Sequence, residues 1–301
     1  MNSSKPYPTK SGYISIIGCP NVGKSTLLNV LVGERLAIVT HKPQTTRDKI
    51  LGIRTENHAQ MIFLDTPGIH VFKTKLSRKM TRRALDTIRE SDVVLFVIDA
   101  SNPFQSDEEE YIYPLLRKIT CPVILIINKV DLISKQDLLP LMEKYHTLLN
   151  PAEIFPVSAL HGENMDDLIP RIIQYLPQGP FYYSEDTLTD KPVRFIIAEI
   201  IREKIICLTQ QEIPFSTAVM IESFQEDPSR GLTKISATIL VMRDSQKGII
   251  IGKQGSMLKN IGQQARQDIE KYLNTRVFLQ LWVKVSKDWP DNEKVLRELG
   301  Y

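Results

Sequence analysis

No stretch of this sequence approaches the roughly 18 uninterrupted apolar residues of a membrane-spanning helix. The densest apolar run, Val93 to Ile98, has the length of a buried strand. The segment Met1 to Lys10 has no apolar core, so no secretory signal is expected. Cysteine is scarce: Cys19, Cys121 and Cys207 are the only three, and they lie far apart. They fit no metal-ligand spacing, and an odd, scattered set argues against a disulfide framework. A reducing cytoplasm is the expected compartment. Excess charge is also missing, with a net of only +3 over 301 residues. Such a balance excludes no class of partner, because a local basic face fits inside it. Repeats and low-complexity tracts are absent as well.

What is present divides in two, as a prior of about 150 residues per domain suggests. In the first half, strand-like runs at Tyr13–Ile17, Met61–Leu64, Val93–Ile98, Val123–Ile127 and Ile154–Val157 alternate with helical patterns such as Lys24–Leu31, closed by Gly33. That alternation predicts an α/β domain, a mainly parallel sheet with helices on both faces. It spans 9–178 and ends on a helix at Leu168–Leu176. Pro177, Gly179 and Pro180 open a polar stretch that reads as a linker over 179–192. A smaller α+β domain over 193–301 follows. Its expected elements are a helix at Val193–Gln211, strands at Phe215–Phe224 and Leu232–Met242, a helix at Gln263–Leu273, a strand at Arg276–Val285 and a closing helix at Asn292–Leu299. Its sheet is expected to be antiparallel, with the helices on one side.

Gly18, Cys19, Pro20, Asn21, Val22, Gly23, Lys24 and Ser25 read G-x-x-x-x-G-K-S between a strand and a helix. Glycines let backbone N–H groups curl around an anion, a lysine reaches the outer phosphates, and a serine hydroxyl suits Mg2+. The helix start adds its positive end, with Thr26 in its first turn. Asn128, Lys129 and Asp131 form N-K-x-D at the end of a strand, where ligands of open α/β sheets bind. A carboxylate there accepts the N1–H and exocyclic amine of guanine, a pair that adenine lacks.

These motifs resemble the translation-factor-like GTPase superfamily. By that resemblance Asp65 holds Mg2+ through water, and Thr66, Pro67 and Gly68 complete a loop whose glycine amide meets the γ-phosphate. Lys129 lies along the base, Asp131 reads guanine, and Ser158 and Ala159 meet its O6. Gln44, Thr45, Thr46, Arg47 and Asp48 resemble switch I, with Thr46 favoured over Thr45 as the Mg2+ ligand. The metal set is thus Ser25, Thr46 and Asp65, and the catalytic set Lys24, Thr46, Gly68 and Asn21. Ile69 replaces the glutamine with which many relatives orient the attacking water, so slow intrinsic hydrolysis is expected. Asn21 has two readings: a ligand for K+ beside the phosphates, or a residue that shapes the loop.

In the second domain, Gly252, Lys253, Gln254 and Gly255 form G-x-x-G after Ile249, Ile250 and Ile251. Such a loop lets an RNA backbone approach closely. Nine basic residues stand against three acidic ones between Arg243 and Lys287. Ile251, Gly252, Lys253, Gln254, Gly255 and Lys259 are the expected RNA contacts. Trp282 and Phe278 are read as packing residues.

The element order resembles a type II KH domain. A single GTPase domain followed by such a domain resembles the Era family of ribosome-assembly GTPases, from about Lys10 to Trp289. The resemblance implies GTP and GDP as ligands and the 3′ end of small-subunit ribosomal RNA and the 30S subunit as partners. It also implies peripheral association with the inner membrane, and a monomer is expected. The alternative is a membrane-associated regulatory GTPase whose second domain grips a protein.

Overall fold

The computed structural model describes residues 8–40, 42, 45, 50–66, 87–103, 107–209, 213–287 and 289. The chain forms two compact units, Met1–Ala37 with Thr46–Asp190, and Ile38–Thr45 with Lys191–Tyr301.

The first unit is built on six strands: β1 (Lys10–Ile17), β2 (Ile50–Glu56), β3 (Ala59–Asp65), β4 (Val93–Asp99), β5 (Val123–Asn128) and β6 (Glu153–Val157). Their order is β2-β3-β1-β4-β5-β6, parallel except for β2, which runs antiparallel to β3 at the edge. Every position of β3 is buried, and so is nearly all of β4 and β5. This is why those strands read as continuous apolar runs: a parallel sheet is covered on both faces. The described helices are α1 (Lys24–Val32), α2 (Asp107–Leu116), α3 (Lys135–Leu149) and α4 (Met165–Tyr175). The chain leaves β1 toward β3 on one side and β4 on the other, so the crevice beyond β1 is the topological switch point.

The segment expected to be a linker is folded onto this unit as far as residue 190. Ser11 Oγ donates to Pro180 O at 2.6 Å, and Gln60 Oε1 accepts the amides of Tyr182 and Tyr183 at 2.8 and 3.0 Å. Ile53 N donates to Leu188 O, and Thr189 Oγ1 to Leu51 O. Edge strand β2 has free backbone groups, and this polar stretch satisfies them.

The second unit contains α5 (Val193–Leu208), one helical turn at Ile213–Ser216, β7 (Ala218–Asp227), β8 (Leu232–Val241), α6 (Asp244–Ile251), α7 (Ser256–Leu273) and β9 (Arg276–Val285). Its sheet order is β7-β8-β9. The sheet is mixed rather than antiparallel: β7 and β8 form a hairpin, whereas β9 runs parallel to β8. The α6–α7 crossover returns the chain to the end where β8 began, and that forces the parallel pairing. Ile197, Ile201 and Ile205 of α5 pack with Ile235, Ile239, Ile261 and Ile269 in one core.

Ile38–Thr45 belongs to this unit too. Lys42 Nζ donates to Ile206 O at 2.6 Å and also to Thr209 O, so a cation sits at the negative end of α5. Arg202 Nη2 donates to Thr45 O at 2.6 Å. Among the described residues, no helix is long and apolar enough to cross a membrane. The expected helix at Asn292–Leu299 lies outside the described residues.

Candidate functional site

Five strand ends meet at the switch point. Gly18 follows β1, Asp65 ends β3, Asp99 ends β4, Asn128 ends β5 and Ser158 follows β6. Sheet geometry therefore gathers the first-domain motifs that are described at one edge.

The cradle turns back on itself through Gly18, Asn21 and Gly23, all at positive φ. Gly23 has φ 98°, and a Cβ there would come within 2.2 Å of Asn128 Nδ2. Only glycine fits that backbone beside that amide. Lys24 is buried, with Nζ donating to Gly18 O at 3.0 Å and Cys19 O at 2.6 Å. Those bonds hold the ammonium over the loop from which phosphate would be gripped. Asn21 is exposed. Thr26 lies half-buried in the first turn of α1.

Asp65 lies wholly inside the protein. Its Oδ2 accepts from Ser25 Oγ at 2.8 Å, and its Oδ1 has no partner among the described residues. Burial pushes its pKa from 3.8 up to about 6, against the opposing pull of Lys24 and Ser25. A buried carboxylate oxygen without a donor is costly. A hard divalent cation held by Ser25 and reached by Asp65 removes that cost, so these oxygen donors fit Mg2+. Thr66 Oγ1 donates to Ile16 O at 3.0 Å and fixes the chain just beyond β3.

A pH dependence follows for protein stripped of nucleotide and metal. The folded pKa of Asp65 exceeds its ordinary value, so its contribution to stability is fully present below about pH 4 and is lost as pH rises through about 6. Asp65→Asn is expected to stabilise the stripped protein at pH 8, by about 2–3 kcal/mol at most, and to leave it unchanged near pH 4. Thermal melts in EDTA check this. An equal shift at both pH values would assign the effect to packing instead of charge.

The N-K-x-D loop and the loop at Ser158 and Ala159 are tied to the cradle by Asn128, whose side chain is buried. Its Nδ2 donates to Val22 O at 2.8 Å, and its Oδ1 accepts Ala159 N at 3.0 Å. One amide thus joins the phosphate loop, the N-K-x-D loop and the loop at Ser158 and Ala159. Lys129, at φ 66°, pairs with Asp99 Oδ2 at 2.5 Å. Asp131 lies in a short 3-10 turn, Val130–Leu132, in which no residue is buried; its side chain is 20% exposed, with His161 Nε2 3.8 Å from its Oδ2. Ser158 is fully buried, and its Oγ accepts His161 N at 3.4 Å. Sequence reasoning missed Asp99 and His161. Asp99 had a signal, an acid ending the apolar run of β4.

Thr45 Oγ1 donates to Lys42 O at 2.7 Å and lies 2.6 Å from Thr40 Oγ1, so its hydroxyl is engaged within the second unit. Gln44, Thr46, Arg47, Asp48, Pro67, Gly68 and Ile69 lie outside the described residues.

In the second unit, Gly252–Gly255 joins α6 to α7. Gly252 has φ 72°, and a Cβ there would lie 2.6 Å from Met257 Cβ. Lys253, Gln254 and Lys259 are exposed, so a cation stands beside bare backbone at the start of α7. Ile250 is core, Ile249 is exposed and Ile251 lies between. Phe278 and Trp282, expected to pack, are half exposed instead, because they occupy alternate positions of β9 that face away from α6 and α7.

Known proteins match both units. Residues 13–129 match the family described as 50S ribosome-binding GTPase, and residues 212–290 match the KH domain family. The chain is 53% identical over 292 residues to GTPase Era of Syntrophus aciditrophicus, covering 97% of this chain and 95% of that protein. It is 52% identical to GTPase Era of Geobacter metallireducens, covering 98% of each. Among solved structures, Aquifex aeolicus Era bound to GDP.AlF4- superposes with a TM-score of 0.90 at 42% identity, covering 97% of this chain and 99% of that one. Era in complex with MgGDPNP and nucleotides 1506-1542 of 16S ribosomal RNA superposes equally well at 43% identity, with the same coverage. Likeness of this depth along almost the whole length establishes that the chain is a GTPase belonging to the Era family.

Proposed function

We propose that this GTPase is a GTP-driven switch that binds the 3′ end of 16S ribosomal RNA and assists assembly of the small ribosomal subunit. The observation that carries the reading is one chain with both a guanine-nucleotide cradle and an exposed G-x-x-G loop. Gly18–Ser25 would hold the phosphates with backbone amides and Lys24, while Asp131, Lys129 and Ala159 hold the guanine. Ser25 and Asp65, with Thr46, would hold Mg2+, which neutralises charge between the outer phosphates when bound. Engagement of Thr45 by Thr40 and Lys42 favours Thr46 in that role. Ile69 cannot orient a water, so intrinsic turnover is slow unless K+ at Asn21 or a partner supplies the missing charge. Asn21 is exposed at φ 63°, which leaves its amide accessible to such an ion.

Lys253 and Lys259 would meet RNA phosphates around the bare backbone of Gly252 and Gly255. The RNA in the homologous complex, nucleotides 1506-1542, supports the 3′ end as the target. The switch would act through Ile38–Thr45, because this segment belongs to the RNA-binding unit and ends inside switch I. The test measures affinity for a 16S 3′-end oligonucleotide with a non-hydrolysable GTP analogue and with GDP. Tighter, salt-sensitive binding in one state is expected. Lys253→Asp with Gln254→Asp should weaken it at least about tenfold, since it reverses a phosphate contact. Equal affinities in both states would reject the coupling, and an unaffected loop variant would reject the loop.

A further inference from the structure

The sheet of the second unit has two faces, and the outer one carries chemistry of its own. Ile235, Ala237 and Ile239 of β8 lie opposite Leu279, Leu281 and Val283 of β9 and face the core. Alternate residues therefore face outward. Phe278 and Trp282 are 51% and 50% exposed there. They lie four residues apart on one strand, about 13 Å, so each ring has room for its own partner. Arg276 and Lys284 flank them on β9, and Lys234 of β8 pairs in register with Phe278. Of the three described acids on β7, Asp227 lies 3.7 Å from Arg230, Glu222 sits in the β-bulge between Ile221 and Ser223, and Glu226 pairs with the buried Thr233 on the face that Phe224 and Ile235 turn to the core.

A single exposed ring needs no explanation, but two rings on one face of β9, with two cations on the same strand and a third paired with Phe278, form a patterned surface. Unpaired bases offer π-faces to the rings and phosphates to the cations, a combination that neither an apolar nor an acidic peptide matches. β9 is also the edge strand, and both helices flanking Gly252–Gly255 pack on it. A strand of RNA leaving that loop can pass around the edge of the sheet. We propose that the outer face is a second single-stranded RNA surface, with bases stacked on Phe278 and Trp282 and phosphates met by Lys234, Arg276 and Lys284. The proposal rests on the reading of Gly252–Gly255 as an RNA clamp.

Such a loop grips about four nucleotides. The test therefore uses the full-length protein and two RNAs from the 16S 3′ end, one of about four nucleotides and one of about twelve. Phe278→Ala with Trp282→Ala should weaken the longer RNA at least about tenfold and leave the shorter unchanged. Phe278→Leu with Trp282→Leu, which keeps apolar bulk but removes both rings, should do the same. Lys253→Asp with Gln254→Asp should weaken both RNAs. Trp282 emission should be quenched by the longer RNA only. Unchanged affinity of the ring variants for the longer RNA overturns the proposal, as does equal loss of both RNAs at unchanged melting temperature. Loss of a ribosomal protein with full retention of RNA overturns it in favour of protein docking. If the unmodified protein binds neither RNA, the clamp reading fails first and the proposal with it.

Discussion

Asp131→Asn is expected to lower GTP affinity by about a hundredfold to several thousandfold while leaving the fold intact. A carboxylate accepting guanine's N1–H and amine makes two charge-assisted bonds, each worth roughly 1.5–3 kcal/mol. A carboxamide keeps one acceptor but turns an NH2 toward the amine, so one bond is lost outright and the other is weakened. A loss of roughly 3–5 kcal/mol corresponds to that range of affinity. The same geometry predicts a gain. Xanthine carries a carbonyl where guanine carries the amine, and the carboxamide can donate to it. The variant should therefore prefer XTP. Titration with fluorescent GTP and XTP decides the matter, and a variant that binds GTP as tightly as the parent would remove Asp131 from the base site. His161, 3.8 Å from Asp131 on an exposed loop, provides a control. Its removal should change GTP affinity by less than about tenfold, as an exposed, weakly coupled pair does.

The motifs of the proposed site were legible because each is short and carries its own constraint. Glycine at positions 18 and 23, lysine at 24 and the carboxylates at 65 and 131 are the residue types that phosphate, metal and base would demand locally. What joins the motifs was not legible. Asn128 was readable as part of N-K-x-D, but its bonds to Val22 and Ala159 span 106 and 31 positions. No spacing rule encodes them. β2 was missed because its buried residues run together at one end instead of alternating. The parallel pairing of β9 with β8 depends on where two helices return the chain, and hairpin-like periodicity does not report that. Residues 179–190 read as a linker by composition, yet their backbone completes the edge of a sheet, for which composition has no signature. Large rings in a strand usually pack, so sequence alone reads Phe278 and Trp282 as packing residues. Only the register showed that they share the outward face of β9 with Arg276 and Lys284.

Arg202→Met is expected to destabilise the second unit by about 3–5 kcal/mol, the cost of breaking a buried ion pair by removing one partner. Arg202 is 1% exposed, and its Nε and Nη2 reach the two carboxylate oxygens of Glu199 at 2.7 and 2.5 Å. The same Nη2 donates to Thr45 O, so one guanidinium fastens both α5 and the end of Ile38–Thr45. Removing it strands the charge of Glu199 inside the protein and leaves the Thr45 carbonyl without that donor. Both tryptophans, Trp282 and Trp289, lie in this unit, so fluorescence during urea denaturation reports its unfolding separately from that of the first unit. Two further variants separate the causes. Arg202→Met with Glu199→Leu should recover most of the stability, because no buried charge then remains unpaired. Lys42→Ala should cost only about 1 kcal/mol, the scale of a cation at a helix C-terminus. In the double variant, hydrogen exchange over Ile38–Thr45 should stay faster than in the parent even with stability restored. Equal protection there would mean that the core of the unit, and not Arg202, holds this segment in place.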